Sequence, residues 1–320
     1  KSAIIPFHLW LPYTSEAPTP VSALMHAGVV NVGGILLNKM AFLLLLTPAV
    51  LNVAFVMGLI TAVFASILML AVSDIKRSLG YSTVGQMGYM IMEVGLGAFS
   101  LAIYHLMVHG IFKASLFLES GSLINSARKE SNVLRRLSHE LFWEEKPQYN
   151  SINMFRMIAF FTVLPVIVFI GVKLLLGEDF FHFNVATLIL AFAWLTGTQL
   201  FLSFFEVSKA NSPKVILALI SSFIIVLFTY EFVGLKLEHF LYGEHGALFY
   251  EVATLHISGT MTHLMLIAIM IIGWYFTYKQ HFVGIPIGEH KPNKSKWRVY
   301  KMLAKEGYIS DMYIKYFKIF

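Results

Sequence analysis

The chain is dominated by apolar runs long enough to cross a lipid bilayer. A spanning helix needs about 20 mostly apolar residues. Such stretches occur at 22–46, 50–72, 79–96, 99–124, 153–176, 184–206, 213–234 and 252–278, and residues 1–10 read as the end of a further one. Hydrocarbon offers no partner to a backbone N–H or C=O, so only helices and closed barrels cross it. The runs lack the short alternation of barrel strands, which leaves an all-α, polytopic transmembrane helix bundle. Composition agrees: 57% of the residues are hydrophobic and 13% charged, against about 45–50% and 25% in a soluble domain. A chain of 36.1 kDa with a mean hydropathy of +0.71 cannot cover itself with polar surface, and the same numbers exclude disorder. There is no cysteine, which removes disulfide frameworks, thiolate zinc sites, Fe–S clusters and Cys nucleophiles.

The net charge of +6 is unevenly placed. Residues 279–320 hold 9 Lys and Arg against 3 Asp and Glu, and the remainder of the chain is neutral. Basic segments mark the cytoplasmic side, so the tail is expected there. Alternation then puts the Lys76/Arg77 turn, residues 125–152 and the Lys209/Lys214 turn on the same side. The acidic connections at Glu178/Asp179 and Glu238/Glu244/Glu251 fall outside. The organisation predicted is a core of about five helices at 1–124, a cytoplasmic loop at 125–152, four further transmembrane helices at 153–278 and a basic cytoplasmic tail at 279–320. Nothing beside the tail resembles a nucleic-acid motif, so no nucleic acid is expected as a partner. No charged leader with a cleavable apolar core opens the sequence, and the expectation is a fragment, or a protein whose front part lies elsewhere.

Two interruptions stand out. Residues 10–20, WLPYTSEAPTP, carry Pro12, Pro18 and Pro20, which cannot continue a helix. Gly80, Gly85 and Gly88 lie within the 79–96 run. Broken backbone is tolerated at membrane depth only where it is buried in protein or lines a wet cavity.

The strongest constellation lies in 99–124. His105, His109 and Lys113 recur at i, i+4 and i+8, and so share about 80° of arc. Glu119 adds about 40° on the other side, and the stripe rises about 21 Å. Ionisable groups inside a bilayer cost roughly 2.5–3.5 kcal/mol each on insertion scales. Four on one stripe therefore point to a protein-lined, hydrated path. Histidine exchanges protons near neutral pH, and lysine also does so when desolvated. The competing reading is a set of structural polar contacts between helices. His105 and His109 have zinc-ligand spacing, but Leu-Met-Val stands where a catalytic Glu would be needed, so no metal is expected. A haem with axial histidines needs a second ring from another helix, for which His26 or His263 are available; this gives a haem-binding membrane oxidoreductase as the alternative of another class, with a transport-free scaffold as a third. Outside the stripe, His26, Lys76, Glu93, His256 and His263 are isolated polar positions, each with an ordinary packing or interfacial explanation. No phosphate-binding loop, catalytic triad or paired catalytic carboxylates occur, so no catalytic site and no cofactor are expected in this chain.

Several stretches together resemble a known family. Residues 1–12, KSAIIPFHLWLP, and 16–27, EAPTPVSALMHA, are similar to the core motif of antiporter-like subunits of respiratory complex I and of Mrp-type Na⁺/H⁺ antiporters. Residues 74–77 (DIKR), 81–83 (YST), 86–89 (QMGY) and the run from His105 through Lys113 to Ser122 continue the likeness in order. It is specific over residues 1–124 and weak beyond. The resemblance implies a fold with discontinuous helices and a polar axis at the membrane centre. By motif, Lys1 takes the place of the buried lysine of the broken helix and His26 that of the connecting residue. Lys76, His105, His109 and Lys113 fall on the later axis. The relay thus implied is Lys1, His26, Lys76, His105, His109 and Lys113, with Glu93 and Glu119 as lateral carboxylates.

The chain also departs from the large complex I and Mrp subunits. Their second broken helix carries a Ser-Lys-Asp-Glu-like motif, whereas residues 161–174 read FTVLPVIVFIGVKL, with only Lys173 as a weak substitute. The variant at 26–34, HAGVVNVGG, is more similar to the membrane subunit (DabB/MpsA type) of inorganic-carbon uptake systems. That likeness implies a proton- or cation-translocating subunit whose CO₂/bicarbonate chemistry sits on a separate zinc-containing, carbonic-anhydrase-like partner. The alternative is a subunit of NADH:quinone oxidoreductase or of an Mrp antiporter, with redox chemistry on other subunits. Either implies an integral protein of a bacterial cytoplasmic (inner) membrane with further membrane or peripheral partners.

Overall fold

In the computed structural model, residues 1–72, 74–129, 213–253 and 305–317 are described, together with positions 167, 171, 298, 301 and 302. Every described element is helical. They are α1 (Trp10–Tyr13), a 3-10 turn Thr14–Glu16, α2 (Thr19–Ala27), a 3-10 turn Val29–Asn31, α3 (Val32–Lys39), α4 (Ala41–Leu45), α5 (Pro48–Ala71), α6 (Ile75–Gly95) and α7 (Phe99–Lys129). Then come α8 (Pro213–Tyr242), a turn Gly243–His245, α9 (Gly246–Ala253), a turn Glu306–Tyr308 and α10 (Ile309–Phe317). The predicted spans at 153–176, 184–206 and 252–278, the predicted loop beyond residue 129 and most of the tail lie outside the described residues.

Three stretches are long and apolar enough to span: Thr19–Lys39, Pro48–Met69 and Phe99–Ser122. α5 shows the reason most plainly. Its exposed Val53, Val56, Ile60, Val63 and Ile67 recur at steps of three and four, an apolar face turned toward lipid. α6 is different. It is rich in Ser, Thr, Gln, Gly and Tyr, and it is buried almost throughout its last three turns, where Met90, Met92, Glu93 and Val94 are all fully covered. A helix this polar survives at bilayer depth because protein, not lipid, surrounds it.

The proline segment breaks as expected, into the short α1 and its 3-10 turn. Pro20 then sits in the first turn of α2, where its missing N–H costs nothing. The glycines of α6 do not behave as expected. α6 runs unbroken through Gly80, Gly85 and Gly88. Their purpose is close approach: a Cβ on Gly88 would stand 2.6 Å from Ala62 N, and one on Gly58 of α5 would stand 2.5 Å from Met92 N. α5 and α6 thus touch backbone to backbone. The real interruption falls in the 22–46 run instead, at Gly28–Asn31 between α2 and α3.

Other boundaries shift modestly. α7 continues to Lys129, past the predicted loop start, and α8 extends to Tyr242, beyond 234. At the start of α6, Asp74 Oδ1 accepts the Arg77 backbone N–H at 2.7 Å, a helix cap. The described residues belong to two units, 1–145 with 251–253 and 287–320, and 146–250 with 254–286. In the second, Tyr242 at the end of α8 packs its ring 4.6 Å from that of Phe249. In the first, the turn before α10 returns to the head of α6, where Arg77 Nη2 donates to Glu306 Oε1 at 2.5 Å. Tyr313 of α10 donates its hydroxyl to Pro6 O at 2.9 Å. Gly307 takes φ 69° there, and a Cβ would lie 2.7 Å from the ring of Phe64.

Candidate functional site: a buried line of polar groups on α6, α7 and α2

α6 and α7 run antiparallel after the short turn at Leu96–Ala98, so their polar faces meet. His105 joins them. Its Nδ1 lies 3.1 Å from Glu93 Oε2 and its Nε2 lies 2.9 Å from Gln86 Oε1. With two oxygens as partners, both ring nitrogens donate, which completes the hydrogen bonding of an imidazolium. Turning the Gln86 amide over presents its NH₂ instead and completes that of a neutral ring. Gln86 can therefore serve either protonation state. Glu93 is wholly buried.

One turn along α7, the His109 ring lies 6.2 Å from that of His105. It is 4% exposed, and neither of its nitrogens has a hydrogen-bond partner. Buried polar atoms are rarely left unpaired, and water commonly completes them. A further turn along, Lys113 is 1% exposed and donates to Ser82 Oγ of α6. α2 closes the other side. His26 is fully buried, stacks on Phe117 with ring centroids 4.3 Å apart, and is 3.2 Å from Thr14 Oγ1 through Nε2. The Thr14 hydroxyl already donates to Leu11 O at 2.6 Å, so His26 Nε2 is the donor to Thr14 and Nδ1 carries the lone pair. That Nδ1 is also unpartnered. Lys113 is near enough to act electrostatically on both His26 and His109.

The structure therefore brings His26, His105, His109 and Lys113 into one cluster and joins Glu93 to it directly. Lys76 sits apart, half-buried, with Nζ donating to Ala17 O at 3.1 Å on the proline segment. Lys1 and Glu119 are exposed and outside the cluster. Glu119 had been expected on the stripe; α7 turns it off the face that α6 and α2 cover. Ser82, Gln86 and Thr14 are cluster members that the sequence reading passed over. Ser82, Gln86, Tyr89 and Glu93 follow one another at steps of four, three and four, which is the signal that could have found them.

Among the described residues no group of three or more His, Asp or Glu side chains is arranged to hold a metal ion. A bis-histidine haem needs two rings with free nitrogens facing one gap. His105 uses both of its nitrogens and His26 uses Nε2, while His256 and His263 lie outside the described residues.

The chain is similar to known proteins. Residues 1–200 match the family described as NADH:quinone oxidoreductase/Mrp antiporter, transmembrane. The probable inorganic carbon transporter subunit DabB1 of Halothiobacillus neapolitanus is 38% identical over 316 residues, 98% of this chain and 56% of the relative. NADH-quinone oxidoreductase subunit L of Buchnera aphidicola is 48% identical over 134 residues, 42% of this chain and 22% of the relative. The chloroplastic NAD(P)H-quinone oxidoreductase subunit 5 of Tecoma stans is 47% identical over 127 residues, 39% and 17%. The chain spans about half the length of the inorganic-carbon relative and a smaller share of the other two. A helical, integral membrane chain whose buried Lys/His line lies within the residues that the family matches is an antiporter-like subunit, and it belongs to the NADH:quinone oxidoreductase/Mrp antiporter transmembrane family.

Proposed function

We propose that this chain is the proton-translocating part of a membrane subunit in a multi-subunit, energy-coupled complex, and that the complex takes up inorganic carbon. The observation that carries the reading is the run of fully or nearly fully buried ionisable groups, Glu93, His109, Lys113 and His26, linked by His105 and by the neutral relays Gln86, Ser82 and Thr14. Charged groups are kept at this depth at a cost, and a transport path is the usual reason. Protons step between His105, His109 and Lys113 through water held against the unpartnered His109 nitrogens. Lys1 and Lys76 are assigned to the two approaches of this axis, and Glu119 to a lateral position at its α7 end.

The near-full-length likeness to an inorganic carbon transporter subunit supports the choice of complex. In this reading the chain sits in a bacterial inner membrane with its basic tail in the cytoplasm. Its partners are other membrane or peripheral subunits, among them a separate zinc-containing, carbonic-anhydrase-like protein, and no cofactor resides in the chain itself. The higher identity to quinone-oxidoreductase subunits over a shorter stretch, 48% over 134 residues and 47% over 127, favours a second reading, a complex I or Mrp subunit. Proton flux into proteoliposomes holding the full-length protein with its partners tests the axis: Lys113→Ala and His109→Ala should each lower it at least tenfold. Unchanged flux in both removes the assignment. Affinity capture of the tagged complex tests the assembly, since a zinc protein of the carbonic anhydrase type supports the first reading and quinone-oxidoreductase subunits support the second.

A further inference from the structure

A second group of buried polar atoms lies away from the His26–Lys113 cluster, between the broken segment, the head of α6 and the C-terminal turn. His8 is 0% exposed; its ring faces the Pro6 carbonyl, and neither nitrogen reaches full hydrogen-bond geometry. Its ring lies 6.3 Å from that of Tyr81 and 6.4 Å from that of Phe64. Tyr81 is also 0% exposed, and its hydroxyl lies beside Glu306 without reaching hydrogen-bond geometry. Glu306 is 6% exposed and is held by Arg77, whose Nε is buried and unpartnered too. Four buried polar atoms in one locality, His8 Nδ1 and Nε2, Tyr81 Oη and Arg77 Nε, fall short of a well-formed hydrogen bond, although the Pro6 carbonyl faces His8 and Glu306 faces Tyr81, and a native interior rarely leaves so many dry. Water bridging them makes the count ordinary.

We infer that Glu306, Tyr81 and His8, with water among them, form a proton-loading branch that runs from the C-terminal turn of this chain to the broken segment and feeds the axis. The order follows from the placement. Glu306 stands at the end of the described tail and meets the head of α6, and Tyr81 is one turn deeper on α6. His8 lies next to it, and its carbonyl accepts Leu11 N–H at 3.1 Å; Leu11 O in turn receives the Thr14 hydroxyl that pairs with His26. A proton arriving at the Glu306 carboxylate passes through water to the Tyr81 hydroxyl. The hydroxyl takes it on oxygen and releases its own proton to the next water, so it ends as it began. His8 accepts at one nitrogen and releases from the other to water that leads to the unpartnered His26 Nδ1 of the axis. The charged and titratable groups facing this path are Arg77 from α6, Glu306 from the C-terminal turn, Tyr313 from α10, whose hydroxyl donates to the Pro6 carbonyl beside His8, and Tyr13 from α1, which holds Arg77 5.2 Å above its ring; α5 contributes the Phe64 ring. Arg77 keeps the loading carboxylate in place, and Gly307 and the Tyr313–Pro6 hydrogen bond keep the turn docked.

The branch rests on the proposed proton transport, and its test separates the two. Flux is measured in proteoliposomes holding the full-length protein and its partners, for His8→Ala, Tyr81→Phe and Glu306→Gln, beside Lys113→Ala. The branch predicts at least a tenfold loss in His8→Ala and Tyr81→Phe with melting temperatures close to the parent, and partial recovery of His8→Ala when imidazole is added. If Lys113→Ala stops flux while His8→Ala and Tyr81→Phe stay within twofold of the parent, the branch is overturned and the axis stands. If Lys113→Ala leaves flux intact, the transport reading fails and the branch falls with it; hydroxyl-radical footprinting tests the water of the branch independently of flux. Radiolysis of bound water labels Tyr81 despite its burial if the pocket is wet; an unlabelled Tyr81 means a dry pocket and no branch.

Discussion

Glu93→Gln is the most informative single change in the buried line. The side chain is 0% exposed and its Oε2 meets His105 Nδ1 at 3.1 Å. Glutamine keeps the shape and an accepting oxygen and removes only the charge. A hydrogen bond to a charged group contributes about 1.5–3 kcal/mol and a neutral one about 0.5–1.5 kcal/mol. The doubly protonated His105 ring therefore loses roughly 1–1.5 kcal/mol of support, while the neutral ring loses little. At about 1.4 kcal/mol per factor of ten, flux through that state falls about tenfold. The assay is dye-reported proton uptake, driven by a potassium diffusion potential, in proteoliposomes of the full-length protein with its partners. His105→Gln and the double variant complete a cycle. If the two residues act as one unit, the double variant is no slower than His105→Gln alone. A Glu93→Gln flux within twofold of the parent, or losses that simply multiply in the double variant, would refute the reasoning.

Ser82→Ala takes from Lys113 its partner on α6; melting in detergent should show a loss of about 1–3 kcal/mol, and Lys113→Met in the same background should recover much of it, because removing both partners of a buried pair is nearly neutral. Gly88→Leu forces α5 and α6 apart and should cost about 1–3 kcal/mol or more, read as a lower melting temperature, with Gly88→Ala falling between it and the parent. Asp74→Ala removes the cap of α6 and should cost about 1 kcal/mol, whereas Asp74→Asn should be nearly silent, again by melting.

The stripe on α7 was legible because charged residues in an apolar helix stand out and their spacing names one face. Its partner face on α6 was not, for a physical reason. Ser82, Gln86 and Tyr89 are neutral and lie among glycines, so neither charge nor hydropathy marks them, and the glycines themselves invite the reading of a break. Only contact with α5 reveals that they are there to let two backbones meet. Glu93 was visible as a residue but not as a partner, since its position at the end of a run suits an interfacial carboxylate equally well. Lys1 and Glu119, placed in the line by motif and spacing, are exposed in the described structure and lie outside the buried cluster. The tail charges carried only an expectation of orientation, and nothing local to Glu306 tells that its carboxylate reaches Arg77 across 229 residues of sequence. His8 sat inside a motif read for its prolines and its lysine, and its burial became evident only once Phe64 and Tyr81 were seen around it.

The backbone seam between α5 and α6 has a mechanical consequence. With glycines interlocked at Gly58 and Gly88, and a Cβ at Gly95 standing 2.4 Å from Phe55 N, these two helices cannot slide or roll against each other without collision. They act as a stator. The backbone of Ser82, Gln86 and Glu93 keeps fixed heights across the membrane, and in the proposed transport the moving parts are confined to side chains, water and the facing helices: the Gln86 amide turning over, imidazoles rotating, water rearranging, and α7 or α2 shifting against an immovable rack.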